Sequence, residues 1–170
     1  MSLPSAPCPP RFREHVFEYA CTINRSMTST WQWLLRPETF TQGQLWPWRV
    51  EFLETPQEDG STACGFDIGT LNAHHGPLMN FCGVITRIEE GDQICERDLE
   101  YGYGAYAIGF RFIRPRLLTI RVSKLDDAKC EVVIRVTSHV RHGWSRLWTM
   151  MQRCFWPMFR LAARRGVPRS

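Results

Sequence analysis

Arg97 stands in a segment, Ile94 to Tyr101, where the side chains alternate in character. Ile94, Glu96, Asp98 and Glu100 share one side of an extended chain, and Cys95, Arg97, Leu99 and Tyr101 share the other. Three carboxylates on one face belong in water and read as a solvated surface rather than an acid–base pair. Arg97 is therefore expected to point inward with Tyr101. A buried guanidinium is costly unless something meets it. It could grip a ligand carboxylate through paired hydrogen bonds. The alternative is an arginine that snorkels to solvent or meets a protein carboxylate. The segment by itself leaves both open.

Other chemistry-bearing groups are sparser. His74-His75 precedes Gly76-Pro77 and reads as a turn pair. Adjacent strand residues face opposite ways, and no third ligand stands at a useful spacing, so no metal site is expected. His74 could act as an acid or base at a cavity mouth, and Tyr101 and Tyr106 are the other groups able to move a proton. Tyr101-Gly102-Tyr103-Gly104 holds a G-x-G that opens no helix, so it is no dinucleotide motif, and no cofactor is expected. Its glycines fit a bulge or a bend in a sheet. The seven cysteines are odd in number and form no C-x-x-C pair. They read as reduced thiols serving as small apolar residues.

The elements that must position these groups follow from periodicity. The chain has 170 residues, enough for one domain with a core of its own. Residues 1–11, with four prolines, read as a loose arm, and residues 12–166 as a single domain. Phe17, Tyr19, Cys21 and Ile23 alternate with polar residues in a first strand. Ser26 caps a short helix that stops near Arg36, before Pro37, and a second helical turn spans about Pro37 to Thr41. From Trp48 the chain reads as strand after strand. The inward sets are Trp48, Val50 and Phe52; Phe66, Ile68 and Thr70; Tyr106, Ile108, Phe110 and Phe112; Leu118, Ile120 and Val122; and Val132, Ile134, Val136 and Ser138. The segment 72–77 breaks one strand, and Arg114-Pro115-Arg116 turns the chain. Connections are short, so neighbours should pair antiparallel.

A long helix closes the chain, from about Trp144 to Arg165, kinked or relaxed at Pro157. Trp144, Leu147, Trp148, Met151, Phe155, Met158, Phe159 and Ala162 form its apolar stripe, expected to face the sheet. After Glu131 there is no acidic residue but eight arginines, although the whole chain carries only +4. No base-reading motif accompanies this basic end, so nucleic acid is not an expected partner. Contact with a membrane surface or an acidic partner stays open. The N-terminus shows no secretory signal and no run is long enough to span a membrane, so a soluble cytoplasmic protein is expected.

In order of elements, HVFEYACTINRS, MTSTWQWL, WRVEFLE, CGFDIGTL and WSRLWTMMQRCFWPMF, the chain resembles the START-like, or SRPBCC, superfamily from about Arg13 to Arg165. The resemblance implies an α+β helix-grip fold: a curved antiparallel sheet of about seven strands wrapped around the last helix, with a small helical insert after the first strand. It also implies a cavity between sheet and helix. That cavity would be lined by Trp48, Phe52, Phe66, Ile68, Arg97, Leu99, Tyr101, Tyr106, Ile108, Phe110, Ile120, Ile134, Trp148, Met151 and Phe155. A hydrophobic small molecule or lipid is the partner this predicts. A polyketide cyclase-type enzyme is the second reading, and an interaction protein docking its basic helix is the third. A shared fold does not choose among them.

Overall fold

Alternating burial defines the first strand, β1 (Phe12–Ile23): Phe17, Cys21 and Ile23 are buried, whereas Glu14, Val16, Glu18 and Thr22 are exposed. The computed structural model describes residues 7–41, 49–76, 80–102 and 108–168, without the side chains of residues 81 and 108. Trp48 and Tyr106 lie outside these residues, and only the backbone of Ile108 falls within them. Helix α1 (Met27–Leu34) begins where Ser26 Oγ accepts the Ser29 N–H at 3.2 Å. The short α2 (Pro37–Thr41) follows, with proline at its first position.

The strands that follow are β2 (Arg49–Leu53), a two-residue hairpin β3 (Thr55–Pro56) and β4 (Thr62–Ala63), β5 (Leu71–His75), β6 (Asn80–Glu90) and β7 (Ile94–Tyr101). A 3-10 turn (Ile108–Arg111), β8 (Ile113–Asp126), β9 (Lys129–Arg141) and helix α3 (Ser145–Gly166) complete the chain. Seven strands form one antiparallel sheet in the order β1-β9-β8-β7-β6-β5-β2. On its inner face Ile23, Ile120, Val122, Val132, Ile134 and Val136 pack with Met27, Trp31 and Leu34 of α1. The sheet, the insert and the long last helix are those expected.

Several local expectations give way. Residues 64–70 are not a strand but a turn, with Gly65 and Gly69 at φ of 57° and 90°, where a side chain would be strained. Phe66 is still buried, but Ile68 is 56% exposed and lines nothing. The Asn72 to Pro77 segment, expected to interrupt, holds most of β5, so His74 and His75 belong to a strand rather than a turn. Of the strand expected at Tyr106 to Phe112, the part within the described residues is the 3-10 turn, and Phe110 is half-buried within it. Pro115 does not turn the chain. It sits inside β8 beside a register shift, where a missing N–H is tolerated.

The acidic face of β7 is also less wet than expected. Glu96 is buried, held by both Arg87 and Arg121 from the flanking strands. Arg87 also meets Asp98 at 2.8 Å, and Thr119 donates to Asp98 at 2.6 Å. Cross-strand arginines have replaced water as the solvent of these carboxylates.

The largest departure concerns α3. It runs unbroken through Pro157 and lies on β1 and β9, but it is rotated. Its buried residues are Ser145, Trp148, Gln152 and Ala163, flanked by half-buried Thr149, Trp156 and Phe159. Met151 and Phe155, expected to line the interior, are exposed. Trp148 is inside, but in a separate cluster with Ile113 and Val140, beside Phe112 and Trp144. The rotation has a visible cause. β1 presents Arg13 and His15 on its inner face. Arg13 donates to Ser145 Oγ at 2.9 and 3.1 Å, and His15 Nε2 meets Thr149 Oγ1 at 2.9 Å. Turning the apolar stripe inward would break both contacts and leave the half-buried His15 without its side-chain partner.

Candidate functional site

Strand alternation puts Arg97, Leu99 and Tyr101 on the inner face of β7, all buried. The guanidinium lies 4.0 Å from the Phe66 ring centroid and 5.8 Å from that of Phe40. Its Nη1 donates to the Leu34 carbonyl at 2.8 Å. Leu34 ends α1, so the cation sits at the helix's negative terminus and satisfies a carbonyl with no helical partner. No carboxylate of the described residues pairs with it. Burial pulls the Arg97 pKa down to about 9, with Tyr101 opposing, which leaves it cationic at neutral pH.

A second group of polar residues stands close by, in β5 and just before it. Asn72 is almost wholly buried, and its Oδ1 lies 2.9 Å from His74 Nε2, which donates in the tautomer protonated there. Asn72 Nδ2 and Thr70 Oγ1 are buried without a hydrogen-bond partner. The His74 ring stands edge-on to Tyr101, with centroids 5.3 Å apart. These side chains reach each other across β6 because Gly83 lies between them. A Cβ there would come within 2.8 Å of Leu99 Cδ1 and 3.0 Å of Asn72 Oδ1. Around the polar groups stand Phe66, Ile85 and Leu99, with half-buried Phe40, Phe52 and Ile88.

The protonation states are set by burial. Desolvation lowers His74 to about 4, with neighbouring His75 adding to the shift, and it pushes Tyr101 well above its ordinary 10. At neutral pH His74 is an uncharged imidazole and Tyr101 an intact phenol. A stability prediction follows. The unfolded chain protonates His74 near 6.5, the folded chain only near 4. Stability is therefore lost as pH falls from 6.5 to 4, by on the order of 2–3 kcal/mol. His15 and His139, also lowered by burial, act in the same direction. Chemical denaturation across this range should show a shallower slope for His74→Gln. An unchanged slope would mean that another group controls it.

Of the residues expected to line the interior, Phe52, Phe66, Arg97, Leu99 and Tyr101 come together here, with His74 beside them. Ile120 and Ile134 belong to the closed core under α1. Ile68, Met151, Phe155, Phe110 and Trp148 stand elsewhere, as described above. Asn72, Gly83 and Phe40 are not among the residues the sequence singles out, and Thr70 is read there only as inward-facing. An isolated glycine in a strand, Gly83, is a sign of close approach that could have pointed to them.

The sheet gripping a long terminal helix, with a helical insert after β1, defines the helix-grip fold of the SRPBCC type, and the chain has that fold. It matches no protein-family model and no curated protein by sequence. Among solved structures it is similar to norcoclaurine synthase from Thalictrum flavum, with a TM-score of 0.61 and 11% identity over 91% of this chain and 87% of that one. An uncharacterised protein from Bacillus thuringiensis gives 0.60 at 9% identity, covering 90% and 98%. Ara h 8.0201 gives 0.55 at 12% identity, covering 91% and 98%. At these identities the likeness is one of fold.

Proposed function

We propose that the chain binds an apolar small molecule carrying an anionic or oxygen-rich end, between the β5–β7 part of the sheet and the α1–α2 insert. The observation that carries this reading is the buried Arg97 guanidinium, which no carboxylate of the described residues meets, on the same inner face as the unsatisfied Asn72 Nδ2. A buried donor without a partner costs about 1–3 kcal/mol, and a ligand acceptor would recover that. Phe40, Phe52, Phe66 and Leu99 supply apolar walls. The protonation states favour binding over proton transfer. A general acid or base works best with a pKa near the working pH. His74 lies far below neutrality and Tyr101 far above it.

The test compares two probes of equal chain length, a fatty carboxylate and the corresponding alcohol, by quenching of tryptophan fluorescence. Apolar contact serves both, whereas the guanidinium favours only the anion. Arg97→Leu should weaken the carboxylate by about 1.5–3 kcal/mol more than the alcohol. Equal weakening would make Arg97 a structural clasp on α1, and failure of both probes to bind wild-type protein would end the binding reading. Native mass spectrometry of the purified protein, searching for a co-purified organic molecule, gives an independent check.

A further inference from the structure

The rotation of α3 leaves a feature that ligand binding does not use. Leu147, Met150, Met151, Phe155, Met158 and Leu161 are each between 39 and 56% exposed, and all lie on the outward side of the helix. With Cys154 and Ala162, also exposed, they fill a continuous arc of about 140° around the axis and roughly 22 Å along it. The inward side holds Trp148, Trp156, Phe159 and Ala163 together with Ser145, Thr149 and Gln152. The helix thus presents a second apolar face to solvent in addition to the mixed face it packs on the sheet, more than a helix covered on one side needs. Beside the apolar arc run the exposed Arg146, Arg153 and Arg164, with Arg165 at its end. The helix has no acidic residue.

We propose that α3 is a docking face for an anionic lipid surface, with the helix lying flat, its apolar arc in the headgroup–acyl boundary and its arginines on lipid phosphates. Three properties select this occupant. The apolar arc is wider than the narrow seam a helix offers to one partner helix, and a fluid bilayer accepts such width. The charge beside it has one sign and complements anionic headgroups. Two copies meeting antiparallel through this face would bring their arginine rows near each other. Among the described residues no helix is long and apolar enough to cross a membrane, so the contact is peripheral. This inference stands apart from the interior site, because Arg97 and Asn72 are buried on another part of the sheet.

The experiment is co-sedimentation of the full chain with vesicles of phosphatidylcholine alone, or of phosphatidylcholine with about one-third phosphatidylglycerol. Binding to the second, absent with the first and weakened by salt, is expected. Met151→Glu with Met158→Glu should lower partitioning at least about tenfold. Arg153→Glu with Arg164→Glu should lower it by a similar factor. Both pairs are exposed, so melting temperatures should hold. Leu161→Ser serves if the methionine pair does not fold. Arg97→Leu should leave vesicle binding intact, which separates this test from that of the interior site. No binding to anionic vesicles, or binding indifferent to both pairs of substitutions, overturns the proposal. So does a wild-type dimer in light scattering that the methionine pair converts to monomer without any vesicle binding; the face would then join two copies of the chain.

Discussion

Deleting the residues after His142 abolishes cooperative unfolding. The loss is not confined to one contact. Trp148 fills the cluster beside Ile113 and Val140, and Ala163 and Val167 complete the main core. Phe159 meets Trp33 at 6.0 Å between centroids, and Gly166 lies so close that a Cβ would stand 2.5 Å from Trp33 Nε1. Without α3, the inner-face Arg13 and His15 lose Ser145 and Thr149 as partners. Urea titration followed by far-UV circular dichroism should show a broad, non-cooperative change. A truncated chain that melts sharply at the wild-type temperature would make α3 an appendage.

Trp148→Ala is the single substitution expected to cost most, about 3–5 kcal/mol, because it empties a ring-sized space that the strands cannot fully close. The indole is 7% exposed, and its Nε1 is buried without a hydrogen-bond partner among the described residues. Trp148→Phe should therefore cost much less than alanine: it keeps most of the ring and removes the unsatisfied donor. Equilibrium urea unfolding of both variants decides it. A loss below about 1 kcal/mol for alanine would show that the ring is not part of a packed core.

Much of this architecture is legible in the residues. Alternation over Phe17 to Ile23 and Val132 to Ser138, the Ser26 cap and Pro37 each act locally, and each element forms where its signal stands. The face of α3 does not follow from its own sequence. The choice is made by Arg13 and His15, more than 130 residues earlier, and by their hydrogen bonds to Ser145 and Thr149. Glu96 shows the same limit, because its arginines come from β6 and β8 rather than from its own strand. In the candidate site, the pairing of Arg97 with Tyr101 on one face is local and readable. The part played by Asn72 was hidden by His74-His75-Gly76-Pro77, whose turn signal outweighs a strand pattern only five residues long.

The pairing of β1 with β9 also sets the order of events when the chain is made. Each residue from Phe12 to Ile23 finds its ladder partner between Cys130 and Arg141, so the earliest strand is completed by the last one. At synthesis rates of about 5–20 residues per second, β1 waits roughly 5–25 s for that partner, its apolar side open throughout. Folding must then close a loop spanning most of the chain, a topology associated with slow, millisecond-to-second folding. Helix α3 follows β9 in the chain, so Arg13 and His15 gain Ser145 and Thr149 as partners only after the whole of β9 has been made. A ribosome-stalled chain ending before Lys129 should accordingly need a chaperone to stay in solution.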